Sequence, residues 1–226
     1  MYGPCYLCGG PGTSREHAPP RCLFPEEKDL PLGIDLRKNL ISVDSCDAHN
    51  SKKSKDDEYL MWILSVQSLG NEYRQQHFHT KGMRTYRRKP DSFLGLLQEI
   101  SPATLTDPED KRYDTASFKT DLLRFQRCML HISTALFFHE IGTQWKGGCR
   151  VVTDAFAGLE GSKAEGLNEL FHDITQTIAR LMVAVPAKGE NPQIFTYKLA
   201  SPKPDKHVVH MRFYEGIAVS VILSDA

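Results

Sequence analysis

Two short pairs of soft ligands constrain this chain more than anything else in it. Cys5-x2-Cys8 lies near its start, and Cys46-x2-His49 follows after 37 intervening residues. These spacings supply the four donors of a closed tetrahedral zinc site. A segment this short has little core of its own. A structural ion held by Cys5, Cys8, Cys46 and His49 is therefore expected to contribute folding free energy on the order of 10 kcal/mol. With four protein ligands the ion is a staple and has no open position for chemistry. Only four residues precede Cys5, and no apolar run is long enough to span a bilayer. A reducing cytoplasm is expected, where such pairs read as metal ligands rather than disulfides.

The rest of the chain divides into three zones and predicts an α+β protein. Residues 1–70 read as strand, long loop, strand and helix. A short strand covers Ser14–His17, Pro19-Pro20 imposes an extended turn, and the β-branched run Asn39–Val43 suits a second strand. From about Cys46 the pattern turns helical, with Tyr59, Trp62, Ile63, Val66 and Leu69 on one face. Residues 71–115 read as a polar, irregular connector with a short helix near Leu94–Ile100. Within it, Tyr73–Pro90 carries Arg74, Lys81, Arg84, Arg87, Arg88 and Lys89 and no acid. With Phe78 and Tyr86 interleaved, this stretch suits either a phosphate-binding arm with stacking rings or a solvated linker exposing His77 and His79. Residues 116–226 predict two long helices, striped from Phe118 to Leu136 and from Leu167 to Met182. A three-stranded antiparallel sheet follows through Phe195–Leu199, Val209–Phe213 and Ile217–Leu223, with Glu215-Gly216 turning the last two strands. Lys+Arg and Asp+Glu balance at 28 each, but residues 1–90 hold 14 cations against 11 acids. That weak excess favours an anionic ligand at the N-terminal half.

Inside the zinc loop lies Glu16-His17. An imidazole with a near-neutral pKa can take a proton from water, and the Glu16 carboxylate offers hard oxygen to a divalent ion such as Mg²⁺. Asn50, one residue past a zinc ligand, can complete that coordination through its amide oxygen, or simply cap the helix. Lys53 and Asp57 follow on the same helix face. Lys53 can steady a phosphate, and Asp57 can be a further ligand or hold His17 or Lys53. A solvated, charged helix start accounts for both equally well.

Together, C-x2-C, an acid-His pair followed by Pro, Asn39-Leu40 before the second pair, and Asn50 and Lys53 on the helix resemble the HNH endonuclease family over residues 5–58. The resemblance implies a ββα-metal module. It also implies His17 as general base, Asn39 as the asparagine that holds the hairpin loop and helps orient that base, and Asn50 and Glu16 as ligands of a catalytic Mg²⁺ or Mn²⁺. The chain departs from the family's commoner pattern in having Glu16 where Asp is usual and His49 as the last zinc ligand.

The expected activity is metal-dependent hydrolysis of DNA phosphodiester bonds, in a role such as restriction, phage defence or mobile-element cutting. The alternative is a non-catalytic zinc-ribbon protein that binds nucleic acid. Because one HNH site cuts one strand, a homodimer is the form expected for double-strand cleavage.

Overall fold

A computed structural model describes residues 2–67, 70–95, 98–106, 110–156 and 161–225. It begins with a knuckle in which the Cys5 N–H donates to the Gly10 carbonyl and the Gly9 N–H to the Cys5 carbonyl. Strand β1 (Ser14–His17) pairs antiparallel with β2 (Ser42–Ser45), Glu16 opposite Val43 and His17 opposite Ser42. Because side chains alternate along a strand, Glu16, Val43 and Ser45 point into the protein while Arg15 and His17 face outward. Two 3-10 turns, Asp47–His49 and Ser51–Lys53, lead into helix α1 (Ser54–Ser65). Every residue of α1 from Tyr59 to Ser65 is buried, so the expected apolar stripe is part of a helix enclosed on all sides. It ends at Ser65, with Val66 as its cap; Leu69 lies outside the described residues.

The expected irregular connector is instead mostly regular. Helix α2 (Glu72–His77) runs through one π turn (Phe78–Gly82) into α3 (Met83–Arg88), and a short α4 (Pro90–Leu94) follows. Tertiary partners explain why a polar sequence folds this way. Arg74 is buried and donates to the Ser65 carbonyl at 2.6 Å, and Arg84 forms a forked pair with Asp29 at 2.6 and 2.7 Å. That guanidinium holds the Asp29 carboxyl below the usual carboxylate range. A Cβ on Gly82 would lie 3.2 Å from the Trp62 ring, so the π turn packs closely against α1.

His77 is buried rather than exposed, with Nε2 3.0 Å from the Cys22 carbonyl. Burial, helped by nearby Lys81, lowers its pKa to about 4. The unfolded ring titrates near 6.5, so the unfolded chain binds more protons between those values. The stability this gives is complete above about pH 6.5 and falls by roughly 3 kcal/mol as pH drops through the window to 4. His77→Gln should flatten that part of the stability–pH curve relative to wild type, read from urea midpoints. Parallel curves would show that His77 does not titrate on unfolding.

Strands β3 (Gln98–Thr106) and β4 (Arg112–Lys119) form a separate antiparallel hairpin where irregular chain and a short helix at Leu94–Ile100 were expected; the helix lies earlier, at Pro90–Leu94. Helix α5 (Leu122–Ile141) is capped by the Asp121 side chain, which accepts from the Arg124 N–H, and ends on Gly142 at φ 81°. Such N-terminal carboxylate and C-terminal left-handed glycine caps satisfy the helix's orphan backbone groups. Strand β5 (Gly148–Thr153), helix α6 (Gly161–Leu181) and strands β6 (Phe195–Lys203), β7 (Lys206–Phe213) and β8 (Ile217–Ser224) complete the chain. The sheet has four antiparallel strands in the order β5-β8-β7-β6, which corrects the expected three. β5 was missed because it is short and only half-buried along one edge. Helix α6 meets the sheet around Ile174, Thr175 and Ile178, while Leu167, Leu170, Phe171 and Leu181 are exposed.

One buried cluster joins Cys5, Tyr6, Leu23 and α1 to α5 and the inner face of this sheet. Tyr214, in the β7–β8 turn at φ 48°, is fully buried and donates to the Leu23 carbonyl at 2.6 Å. Asn71 caps α2 and donates to the Gln193 carbonyl. The ββα module is thus built into the same core as the C-terminal sheet. No helix among the described residues is long and apolar enough to cross a membrane.

Candidate functional site

Local turns bring the two ligand pairs together. The ligand atoms of Cys5, Cys8, Cys46 and His49 all lie within 4.8 Å of one another. Cys8 Sγ is 3.8 Å from Cys46 Sγ, and His49 Nδ1 is 3.2 Å from Cys46 Sγ and 3.5 Å from Cys5 Sγ. A tetrahedron with Zn–S bonds of about 2.3 Å has edges of about 3.8 Å, so the donor set fits a structural ion such as zinc. Burial pushes the Cys5 thiol up, but backbone N–H groups of the knuckle and of Cys46, with His49, outweigh it and bring the pKa to about 6. Thiolate is the form that binds metal. Among the described residues no other group of three His, Cys, Asp or Glu side chains gathers in this way.

On the inward face of β1, Glu16 forms a buried ion pair. Its Oε1 is 2.6 Å from Lys53 Nζ and accepts from the Tyr6 hydroxyl at 3.3 Å, and its Oε2 accepts from the Ser45 hydroxyl at 3.3 Å. Lys53 also donates to Asp57 Oδ1 at 2.8 Å. The side chains of Glu16 and Lys53 are 5% and 8% exposed, against 28% for Asp57. Two expectations are corrected here. Lys53 does not extend to a phosphate; its ammonium is enclosed between two carboxylates. Glu16 does not present free oxygens to a metal, because each already has a partner. Burial disfavours the Lys53 charge, but Glu16 and Asp57 outweigh it and hold its pKa above the usual value. Lys53→Met should cost roughly 3–5 kcal/mol by leaving a buried carboxylate uncompensated. Adding Glu16→Gln should recover part of that loss in urea unfolding. Equal stability of wild type and Lys53→Met would mean that the pair contributes nothing.

On the outward face, His17 opens into a cleft of about 410 Å³ between β1, the start of α1 and the turn after Pro20. Asn50 and Asp57 line it, together with Arg15, Arg21 and Lys81, and Glu16 and Glu58 also reach its wall. The Asn50 amide nitrogen donates to Ser14 Oγ at 2.8 Å and to the Arg15 carbonyl at 3.1 Å. A carbonyl only accepts, so this fixes the amide orientation and makes Oδ1 the remaining acceptor. His17 Nδ1 is buried and closes no hydrogen bond in strict geometry, although the Ile41 carbonyl is near enough to favour the protonated ring. Burial, reinforced by the charges of Arg21 and Arg15, outweighs that carbonyl and holds the His17 pKa below its ordinary value. A neutral imidazole is the state that accepts a proton.

The remaining expected residues are dispersed. Asn39 adopts φ 53° and lines two neighbouring clefts beside Gly189 and Glu190 rather than the one holding His17. Arg74 and Arg84 serve the internal contacts described above, and Lys81 donates to the Cys22 carbonyl at 3.1 Å while still reaching the cleft wall. Arg87, Arg88 and Lys89 are exposed at the end of α3 and beyond it. Phe78 and Tyr86 pack edge-on against Trp62 and Phe93, so they are core rings and not stacking platforms. Sequence reasoning passed over Arg15 and Arg21, although strand alternation already put Arg15 on the face of His17. It also passed over Tyr6, whose hydroxyl lies 3.2 Å from Nδ1 of His131 on α5; no local pattern announces a partner 125 residues away. In comparison with known proteins, the chain matches no family model, no curated protein and no solved structure.

Proposed function

We propose that this protein is a metal-dependent endonuclease of the HNH type that hydrolyses DNA phosphodiester bonds. The reading is supported above all by one cleft that collects an imidazole from β1 and an amide oxygen and a carboxylate from the start of the following helix. Asn50 Oδ1 and the Asp57 carboxylate are hard oxygen donors suited to Mg²⁺ or Mn²⁺. Asp57 takes the place first expected for Glu16: Lys53 engages only its Oδ1 and the side chain is 28% exposed, whereas both Glu16 oxygens are engaged, by Lys53, Tyr6 and Ser45, and its side chain is 5% exposed. When bound, a divalent ion would supply charge stabilisation at a non-bridging oxygen and at the leaving oxygen.

His17 does the proton chemistry. Its Nε2 takes a proton from water as the water oxygen bonds to phosphorus and the bond to the 3′ oxygen breaks; the departing 3′ oxygen takes a proton from solvent, which gives 5′-phosphate and 3′-hydroxyl ends. The zinc staple keeps Asn50 against β1, and the Glu16–Lys53–Asp57 chain fixes the helix over the strand from beneath. Asn50 commits its amide nitrogen to β1 and keeps Oδ1, while the His17 ring keeps Nε2 for the reaction. The homodimer and the cytoplasmic setting expected from the sequence belong to this reading.

Supercoiled plasmid incubated with zinc-replete protein should be nicked in Mg²⁺ or Mn²⁺ and remain intact in EDTA at unchanged protein zinc content. A non-catalytic zinc-ribbon nucleic-acid-binding protein is the second reading, favoured by one observation: Glu16 spends its oxygens internally. Retention of plasmid without cleavage under every divalent ion would establish that reading instead.

A further inference from the structure

We propose that Arg15 and Arg21 form a guanidinium clamp that holds the backbone phosphates on either side of the scissile one. The inference rests on the nuclease reading and assigns the substrate contacts that the expected basic arm does not supply. Arg15 and His17 lie two residues apart on the outward face of β1, about 6.6 Å along the strand. Arg21 lines the same cleft from a second element, the 3-10 turn Arg21–Leu23 that follows Pro19-Pro20. Both arginines are exposed.

The other cations near the site are committed elsewhere. Lys53 is enclosed between Glu16 and Asp57, Arg84 is paired with Asp29, and Lys81 is bonded to the Cys22 carbonyl. Arg15 donates to the Ser42 carbonyl at 3.1 Å, across the hairpin. That single bond aligns the side chain over the strand and leaves most of its five donors for a ligand. Planar guanidinium forks match phosphate oxygens in pairs. Arg15 also forms part of the wall of a second cleft, about 680 Å³, that continues past Ser42 toward Lys188 and Tyr197. A strand held by Arg15 would leave the cleavage site in that direction, and one held by Arg21 would leave over the turn. Contacts of this kind position the duplex without reading its sequence.

The test is the salt dependence of duplex binding in EDTA, where no cleavage interferes, for zinc-replete wild type, Arg15→Gln, Arg21→Gln and the double variant. Each lost phosphate contact should reduce the log–log salt slope by about 0.9, and the double variant by about 1.8. Arg15→Lys should keep the wild-type slope, and Lys203→Gln, on an exposed part of β6, should leave it unchanged. In Mg²⁺ the single variants should raise KM while the cleavage rate at saturating DNA stays near wild type. Unchanged slopes in a protein that binds and cuts would overturn the clamp and leave the nuclease reading standing. Reduced slopes in a protein that never cuts would uphold the clamp and sink the nuclease. Failure of wild type both to bind and to cut would overturn both.

Discussion

Cys46→Ser is expected to release the structural ion and unfold the N-terminal half of the protein. The side chain is central to the cluster, 3.8 Å from Cys8 Sγ and 3.2 Å from His49 Nδ1. A serine hydroxyl is a poor substitute for a thiolate at neutral pH, and structural zinc sites carry apparent binding free energies on the order of 10 kcal/mol. Whole domains are commonly stable by about 5–15 kcal/mol, so the loss is comparable with everything else that holds the fold. It should also spread. Tyr6, between two of the ligands, is fully buried and touches both Glu16 and His131 of α5. Metal analysis and circular dichroism check this directly. The variant should contain no stoichiometric zinc and should show a lowered, broadened melting transition, and wild type stripped of zinc in denaturant and returned to metal-free buffer should do the same. A zinc-free Cys46→Ser that melts like wild type would show that the apolar core alone suffices.

His17→Ala should have the opposite profile: full zinc content, an unchanged melting temperature and a large loss of rate. The ring faces the cleft, and the Ile41 carbonyl approaches it from the buried side, so removing it disturbs little packing. General-base assistance is typically worth about 10²–10⁴-fold, and the single-turnover rate at saturating DNA should fall by that factor. Because the folded environment keeps the His17 pKa below its ordinary value, the acid limb of the wild-type rate profile should lie below pH 6.5, the reference value for histidine. A His17→Ala protein as fast as wild type would remove the imidazole from the mechanism.

The parts of this site legible in sequence are those written in local spacing. The C-x2-C and C-x2-H pairs specify their own geometry, and Pro19-Pro20 ends the strand that carries Glu16 and His17. What alternation could not reveal was the fate of the charges. Lys53 looked available because its helix start is rich in charge, yet it is buried by Glu16, which arrives from a strand 37 residues earlier. The same limit hid the α2–α3 segment. Its Arg74 and Arg84 read as a phosphate-binding arm, but they bond to Ser65 and Asp29, contacts that exist only once the chain has folded back. The β3–β4 hairpin left no pattern because β4 is exposed along most of its length, so its residues need not alternate. The β7–β8 pair was clear because Val209, Met211, Phe213, Ile217, Val219, Val221 and Leu223 are all buried.

The most direct measurement is the cleavage of end-labelled duplex DNA by zinc-replete wild type and His17→Ala, side by side in Mg²⁺ and in EDTA, with the product ends identified. Wild type should give 5′-phosphate and 3′-hydroxyl ends in Mg²⁺ alone, and the variant almost none. Cleavage that survives EDTA, 3′-phosphate ends, or equal rates for the two proteins would contradict this mechanism.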